Sequence, residues 1–210
     1  SLYKNKGLKI LGNILSILME ICNIFLGKFI YILAMIVAML GIAKTSKPDA
    51  FIHIFTFLTI CGAFLNTYMA NPTKDKYYAI VLMNFDAKKY GLSNYYYQLL
   101  RVIIGFMPFT IYFGMMANIP LWLCILLPFF VVAAKLVIMG YDMLDFKKKG
   151  KVKNENIPTS VVWGVVAICV LLAYGLPALN IVINQTIFLG IFAVAILLGI
   201  ICILIINNFK

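Results

Sequence analysis

Long apolar runs without charged residues dominate this chain, and they decide the environment in which it can fold. A helix needs about 20 predominantly apolar residues to cross the hydrocarbon core of a bilayer, and several runs reach that length. Of the 210 residues, 64% are hydrophobic and 12% are charged, against about 45–50% and about 25% in a soluble domain. So few polar side chains cannot coat a globule of this size. A soluble domain and a disordered chain are therefore excluded, and an all-α polytopic membrane protein is predicted.

Six membrane-spanning helices are predicted from these runs. They cover residues 29–43, 50–70, 99–117, 120–141, 159–177 and 185–206. The first run is short, but Lys28 and Lys44 flank it, and lysine side chains can extend to the membrane interface. Lys135 and Arg101 lie within predicted spans, and their side chains are expected to extend to the interface in the same way. The spans form one domain, residues 28–210.

Residues 1–27 are predicted to form a separate amphipathic domain, an elbow helix. Polar side chains recur along one helical stripe between apolar ones, among them Asn13, Glu20 and Asn23. A helix with this pattern lies flat in the membrane interface with its polar face towards water. The stripe also fits a spanning helix that turns it towards partner helices or a cavity.

The distribution of basic residues favours the flat helix. With residues 10–27 outside the hydrocarbon core, sixteen of the 18 lysines and arginines fall on one side of the membrane; otherwise thirteen do. Because basic residues concentrate in cytoplasmic loops, both termini are expected in the cytoplasm. Lys147, Lys148 and Lys149 then lie on the cytoplasmic side, directly next to the membrane. There they anchor the topology or attract anionic head groups, at about 1 kcal/mol per charge.

The predicted cytoplasmic loop at 71–98 has the most structured sequence between the spans. Thr73 is a candidate N-cap, and a helix is expected from there to about Tyr90. Gly91 would end that helix in the left-handed conformation, and Ser93 would cap the next one. The outer end of the predicted helix is Met83-Asn84-Phe85-Asp86-Ala87.

This loop helix is more apolar than a solvated helix normally is. One interpretation is a hydrophobic extension of the neighbouring spans that packs on them. The other is a docking helix for a soluble partner, with an aromatic and methionine tip.

Side chains that would support catalysis on this chain are missing from the sequence. The five cysteines lie singly in apolar runs without CxxC spacing, and His53 is the only histidine. None of the seven acidic residues lies in the middle of a predicted span, and no hydrolase or P-loop motif occurs. We therefore expect neither an enzyme nor a bound cofactor or metal. Nucleic acid is also an unsuitable partner, because the basic residues are scattered between apolar runs.

The stretch DAKKYGLSNYYYQLL at 86–100 is similar to the loop after the second span of small bacterial ABC-2-type permeases. Those permeases are the membrane subunits of ATP-binding-cassette exporters in the bacterial cell membrane. The resemblance implies a coupling helix that touches the ATPase subunit through Met83, Asn84, Phe85, Asp86, Ala87 and Tyr90. It also implies ATP and Mg on that partner, a second permease copy or a related permease, and a hydrophobic or amphipathic cargo such as a peptide, lipid or drug. The short loop between spans five and six departs from the family pattern.

Two other functional classes remain compatible with the sequence. A stand-alone channel or secondary carrier would transport without ATP. A non-transporting assembly or immunity subunit would bind a partner without any flux. A neighbouring gene for an ATPase with Walker motifs would separate both from the permease.

Overall fold

The chain forms an all-helical bundle with six long helices. The computed structural model describes residues 6–42, 47–67, 73–151 and 157–207, and no strand occurs among them. In chain order the helices are α1 Lys6–Ile42, α2 Lys47–Leu65, α3 Lys74–Tyr77, α4 Ala87–Met116, α5 Leu121–Lys149, α6 Thr159–Ala178 and α7 Gln185–Asn207. Apart from the one-turn α3, each is long and apolar enough to cross a membrane. The predicted all-α class with six candidate spans is confirmed.

The N-terminal region differs from its prediction, because the structure has no separate elbow helix. Residues 6–42 form one continuous helix, so no boundary falls at residue 27; residues 1–5 lie outside the described part. Breaking the helix would leave main-chain donors and acceptors without partners at both new ends. No proline lies within residues 6–42 to force such a break.

The length of α1 exceeds what one crossing needs. Its 37 residues span about 55 Å at about 1.5 Å per residue, against a hydrocarbon core of about 30 Å. Residues 7–19 are exposed throughout, so the first turns of α1 stand clear of the rest of this chain.

Helices α2 and α5 form the centre of the bundle. The α2 helix contacts α1, α5, α6 and α7, and α5 packs most extensively on α7 and α4. Fully buried side chains fill the space between them, such as Phe51 and Phe55 of α2 and Leu127 and Phe130 of α5. Phe130 also meets the ring of Phe188 edge to face, with centroids 5.3 Å apart.

Short connections join α4 to α5 and α6 to α7 at one end of the bundle. Asn118 (φ 60°) lies between α4 and α5, and Asn180 (φ 62°) lies between α6 and α7; asparagine tolerates the left-handed conformation better than most residues. We call this end the short-loop end. The opposite end carries α3 and the C-terminal turn of α5 with Lys147, Lys148 and Lys149, and we call it the lysine-rich end.

Helix α1 crosses α4 at Gly105, where the backbones are in close contact. A Cβ atom at this position would lie 2.6 Å from the main-chain oxygen of Ile24 and 3.2 Å from the side chain of Lys28. The rings of Phe25 and Phe109 meet beside the crossing, with centroids 6.1 Å apart. The missing side chain therefore lets α1 and the stem of Lys28 lie directly on α4.

Replacing Gly105 with alanine should force the two helices apart. Overpacking costs about 1–3 kcal/mol, which outweighs the gain of at most about 1 kcal/mol from alanine's helix propensity. Thermal unfolding of the purified chain in detergent measures the effect. The matched control is Gly12→Ala on α1, where nothing lies within 4 Å, and it should not lower stability. Equal melting temperatures for Gly105→Ala and the wild type would contradict the close crossing.

Candidate functional site

The segment between α2 and α4 is the most distinctive surface of the lysine-rich end. Thr73 caps α3 by accepting a hydrogen bond from the Lys76 N–H (3.3 Å), as predicted. After one turn, α3 continues as a π-helical turn over Tyr78–Leu82. Residues 83–86 then leave the helical path before α4 begins at Ala87. We call residues 73–86 the linker element.

The helix break lies about seven residues earlier than the sequence predicted. Asn84 has a positive φ of 55°, and the Asp86 carboxylate accepts a hydrogen bond from the Lys89 N–H (2.8 Å). Asp86 is therefore the N-cap of α4. The expected helix to Tyr90, its end at Gly91 and the cap at Ser93 are wrong, because all three residues lie inside α4.

The linker element exposes large apolar side chains. Six of them are more than half exposed and form what we call the apolar tip: Tyr77, Tyr78, Val81, Leu82, Met83 and Phe85. The sequence analysis left two interpretations of this segment open, packing on the neighbouring spans or docking of a partner. The six side chains are exposed, so they do not pack on the spans of this chain. Uncovered apolar patches mark places where proteins bind partners or membranes.

Main-chain hydrogen bonds hold the apolar tip in shape. The Met83 N–H donates to the Tyr78 oxygen (2.9 Å), and the Phe85 N–H donates to the Ala79 oxygen (3.0 Å). Ala79, whose side chain is buried, fixes the inner side of this turn. The tip is therefore a folded element and not an extended connection.

The six predicted coupling residues occupy the break and the first turn of α4. Met83, Asn84 and Phe85 are exposed in the break, and Asp86 and Ala87 start α4. Tyr90 is half-buried, and its N–H donates to the main-chain oxygen of Asp86 (2.9 Å). The structure thus brings the six together, but Asp86 has a capping role that the sequence analysis did not assign.

A buried acid on α5 lies close to the linker element. Asp142 is 3% exposed, and its charge acts on the half-buried Lys76. Burial lowers the pKa of Lys76 below its ordinary value, and the Asp142 carboxylate opposes that shift by raising it. This pair connects the linker element to α5. The sequence did contain a signal for this residue, because Asp142 is an acid that directly follows the apolar run of α5.

A second polar cluster joins α1 to α4. The carboxylate of Glu20 lies 3.3 Å from Arg101 and accepts a hydrogen bond from the Tyr97 hydroxyl (2.9 Å). Of the three residues predicted for the elbow's polar face, Glu20 therefore reaches another helix. Asn13 and Asn23 lie on the exposed surface of α1.

The three predicted membrane-surface lysines lie in the last turn of α5. Lys147, Lys148 and Lys149 are exposed, and Lys149 is 2.8 Å from Asp145. Gly150 ends the helix with a φ of 67°. Cations are favoured here because the helix C-terminus carries partial negative charge.

His53 has a structural role between α2 and the α6–α7 connection. The N–H of Ile183 donates to its Nδ1 (3.1 Å), so Nε2 carries the proton and donates to the Leu172 oxygen (3.0 Å). Main-chain groups thus occupy both ring nitrogens and hold the imidazole neutral.

Comparisons with known proteins give no assignment: no protein-family model matches this chain, and no curated protein or solved structure matches it significantly.

Proposed function

We propose that this chain is the permease subunit of a bacterial ATP-binding-cassette exporter of the ABC-2 type. In this proposal a separate ATPase subunit carries ATP and Mg, and two permease copies work together to move a hydrophobic or amphipathic cargo. The observation that supports it best is the apolar tip, a folded and exposed surface between two membrane-spanning helices.

The connections of the apolar tip suit a coupling element. One end of the linker element starts α4 through the cap at Asp86, and the other is connected to α5 through Lys76 and Asp142. A displacement of the tip would therefore pass to two helices at once. ATP binding to the partner would then shift the spans between two arrangements, because the ATP-bound partner binds one arrangement more tightly than the other.

The proposal requires the apolar tip to be in the cytoplasm, and cysteine labelling tests that requirement. In a chain with Cys22→Ser, which removes the exposed native thiol, Val81→Cys should react with a membrane-impermeant maleimide only after permeabilisation. The matched control is Leu179→Cys, an exposed position at the short-loop end, which should react in intact cells. Labelling of Val81→Cys from outside would overturn the proposal.

A further inference from the structure

A cavity with two lysines opens between α1, α2, α4 and α5. Its volume is about 340 Å³, at the lower end of the range of about 300–1,000 Å³ typical of ligand sites. Lys28 and Lys135 line it, and no aspartate or glutamate does among the described lining residues. Its surface is otherwise mainly apolar, with Val102 and Phe106 on the α4 side.

The two lysines reach the cavity at the same depth from different helices. Lys28 lies 14 residues before the end of α1, and Lys135 lies 14 residues after the start of α5. At about 1.5 Å per residue, both are about 21 Å from the short-loop end. That depth lies within the half of a core about 30 Å thick that borders the lysine-rich end. The lysines thus lie about 9 Å inside that border, where the head groups and acyl chains of a bilayer meet.

Packing directs the lysine side chains into this region. The stem of Lys28 lies across Gly105, and its ammonium group is 3.4 Å from the main-chain oxygen of Asn23. The ammonium group of Lys135 donates to the main-chain oxygen of Asn66 (3.1 Å). Each ammonium group is a cation with three donors, so both attract an anion that enters the cavity.

A pair of buried hydroxyl groups adds a further donor to the cavity. Thr59 is 4% exposed, and its hydroxyl and that of Tyr31 are both buried and interact with each other. Both side chains line the cavity. Each hydroxyl can donate one hydrogen bond and also accept, so the pair keeps one donor for a ligand or water in the cavity.

From this arrangement we infer that the cavity binds the anionic head group of a single lipid-like amphiphile. Two ammonium groups and one hydroxyl donor match phosphate or carboxylate oxygens, and the apolar walls match the adjoining acyl chain. The inference does not depend on the ATPase partner, because binding requires only this chain.

Native mass spectrometry of the purified full chain in a non-ionic detergent tests the inference, with short-chain phosphatidylglycerol as the probe. The double variant Lys28→Gln/Lys135→Gln should bind it about tenfold more weakly or worse, since it loses two charged donors. Lys28→Arg/Lys135→Arg should retain binding, which also shows that the cavity still folds when both lysines are replaced.

Three comparisons make the test specific. Lys9→Gln/Lys47→Gln removes the same charge from two exposed positions outside the cavity and should leave affinity unchanged. Phosphatidylcholine should bind more weakly and respond little to the cavity variants. Unchanged phosphatidylglycerol affinity in Lys28→Gln/Lys135→Gln would overturn the site, and competition by inorganic phosphate at equal concentration would overturn the amphiphile assignment.

Discussion

On the proposed permease function, replacing Met83 and Phe85 together with serine should abolish association with the proposed ATPase subunit while the chain still inserts into the membrane. Both side chains are more than half exposed, so the change removes little packing within this chain. Burying each of them in a partner contributes about 1.5–3 kcal/mol. Their combined loss weakens the complex by about a hundredfold or more, since about 1.4 kcal/mol corresponds to a factor of ten.

The measurement is co-purification from native membranes of a subunit with Walker motifs, followed by its ATP hydrolysis rate with and without this chain. Leu179→Ser provides the matched control, because it removes an equally exposed apolar side chain at the short-loop end. Association that survives in Met83→Ser/Phe85→Ser, with the same hydrolysis rate as the wild type, would show that the partner binds elsewhere.

Asp86 must be tested separately from the apolar side chains. Asp86→Ala removes the cap of α4 as well as a charge, and losing such a cap costs about 0.5–2 kcal/mol. Asp86→Ser keeps a capping oxygen and removes only the charge. If Asp86 acts only as a cap, Asp86→Ser should bind the ATPase like the wild type, whereas Asp86→Ala should have lower thermal stability.

Replacing Asp142 with asparagine should loosen the linker element from α5. Asp142 attracts the half-buried Lys76 electrostatically, and we expect its loss to cost on the order of 1 kcal/mol, nearer the value for a surface pair than for a buried one. Faster hydrogen exchange over residues 73–86 reports the change. The pKa of Lys76 should fall further, because the carboxylate that raises it is gone.

Two further variants distinguish this effect from a general loss of charge at the lysine-rich end. Asp145→Asn removes an acid three residues away that pairs with the exposed Lys149, and a surface pair contributes about 0–1 kcal/mol. The exchange Lys76→Asp/Asp142→Lys should restore part of the protection. If Asp142→Asn and Asp145→Asn have the same effect, Asp142 does not anchor the linker element.

The boundaries of the helices show where sequence patterns stop being informative. The predicted third span begins at residue 99, but α4 begins at Ala87; the predicted fourth ends at 141, but α5 continues to Lys149. Hydropathy detects only the part of a helix that lies in the hydrocarbon core. Beyond it, main-chain hydrogen bonding continues although the side chains become polar.

The sequence by itself determined that this is a membrane protein with six candidate spans, because the tendency of each apolar run to leave water depends only on its own side chains. It also marked the apolar segment between Tyr77 and Phe85 as unusual. Only the tertiary structure decided that α1 is continuous and that Asp86 starts α4. It also decided that Glu20 forms an ion pair with Arg101 and that the charge of Asp142 acts on Lys76. The shared cavity of Lys28 and Lys135 is likewise a property of the folded chain. The partners in these contacts are distant in sequence, and which of them meet depends on where whole helices cross, for which no local pattern exists.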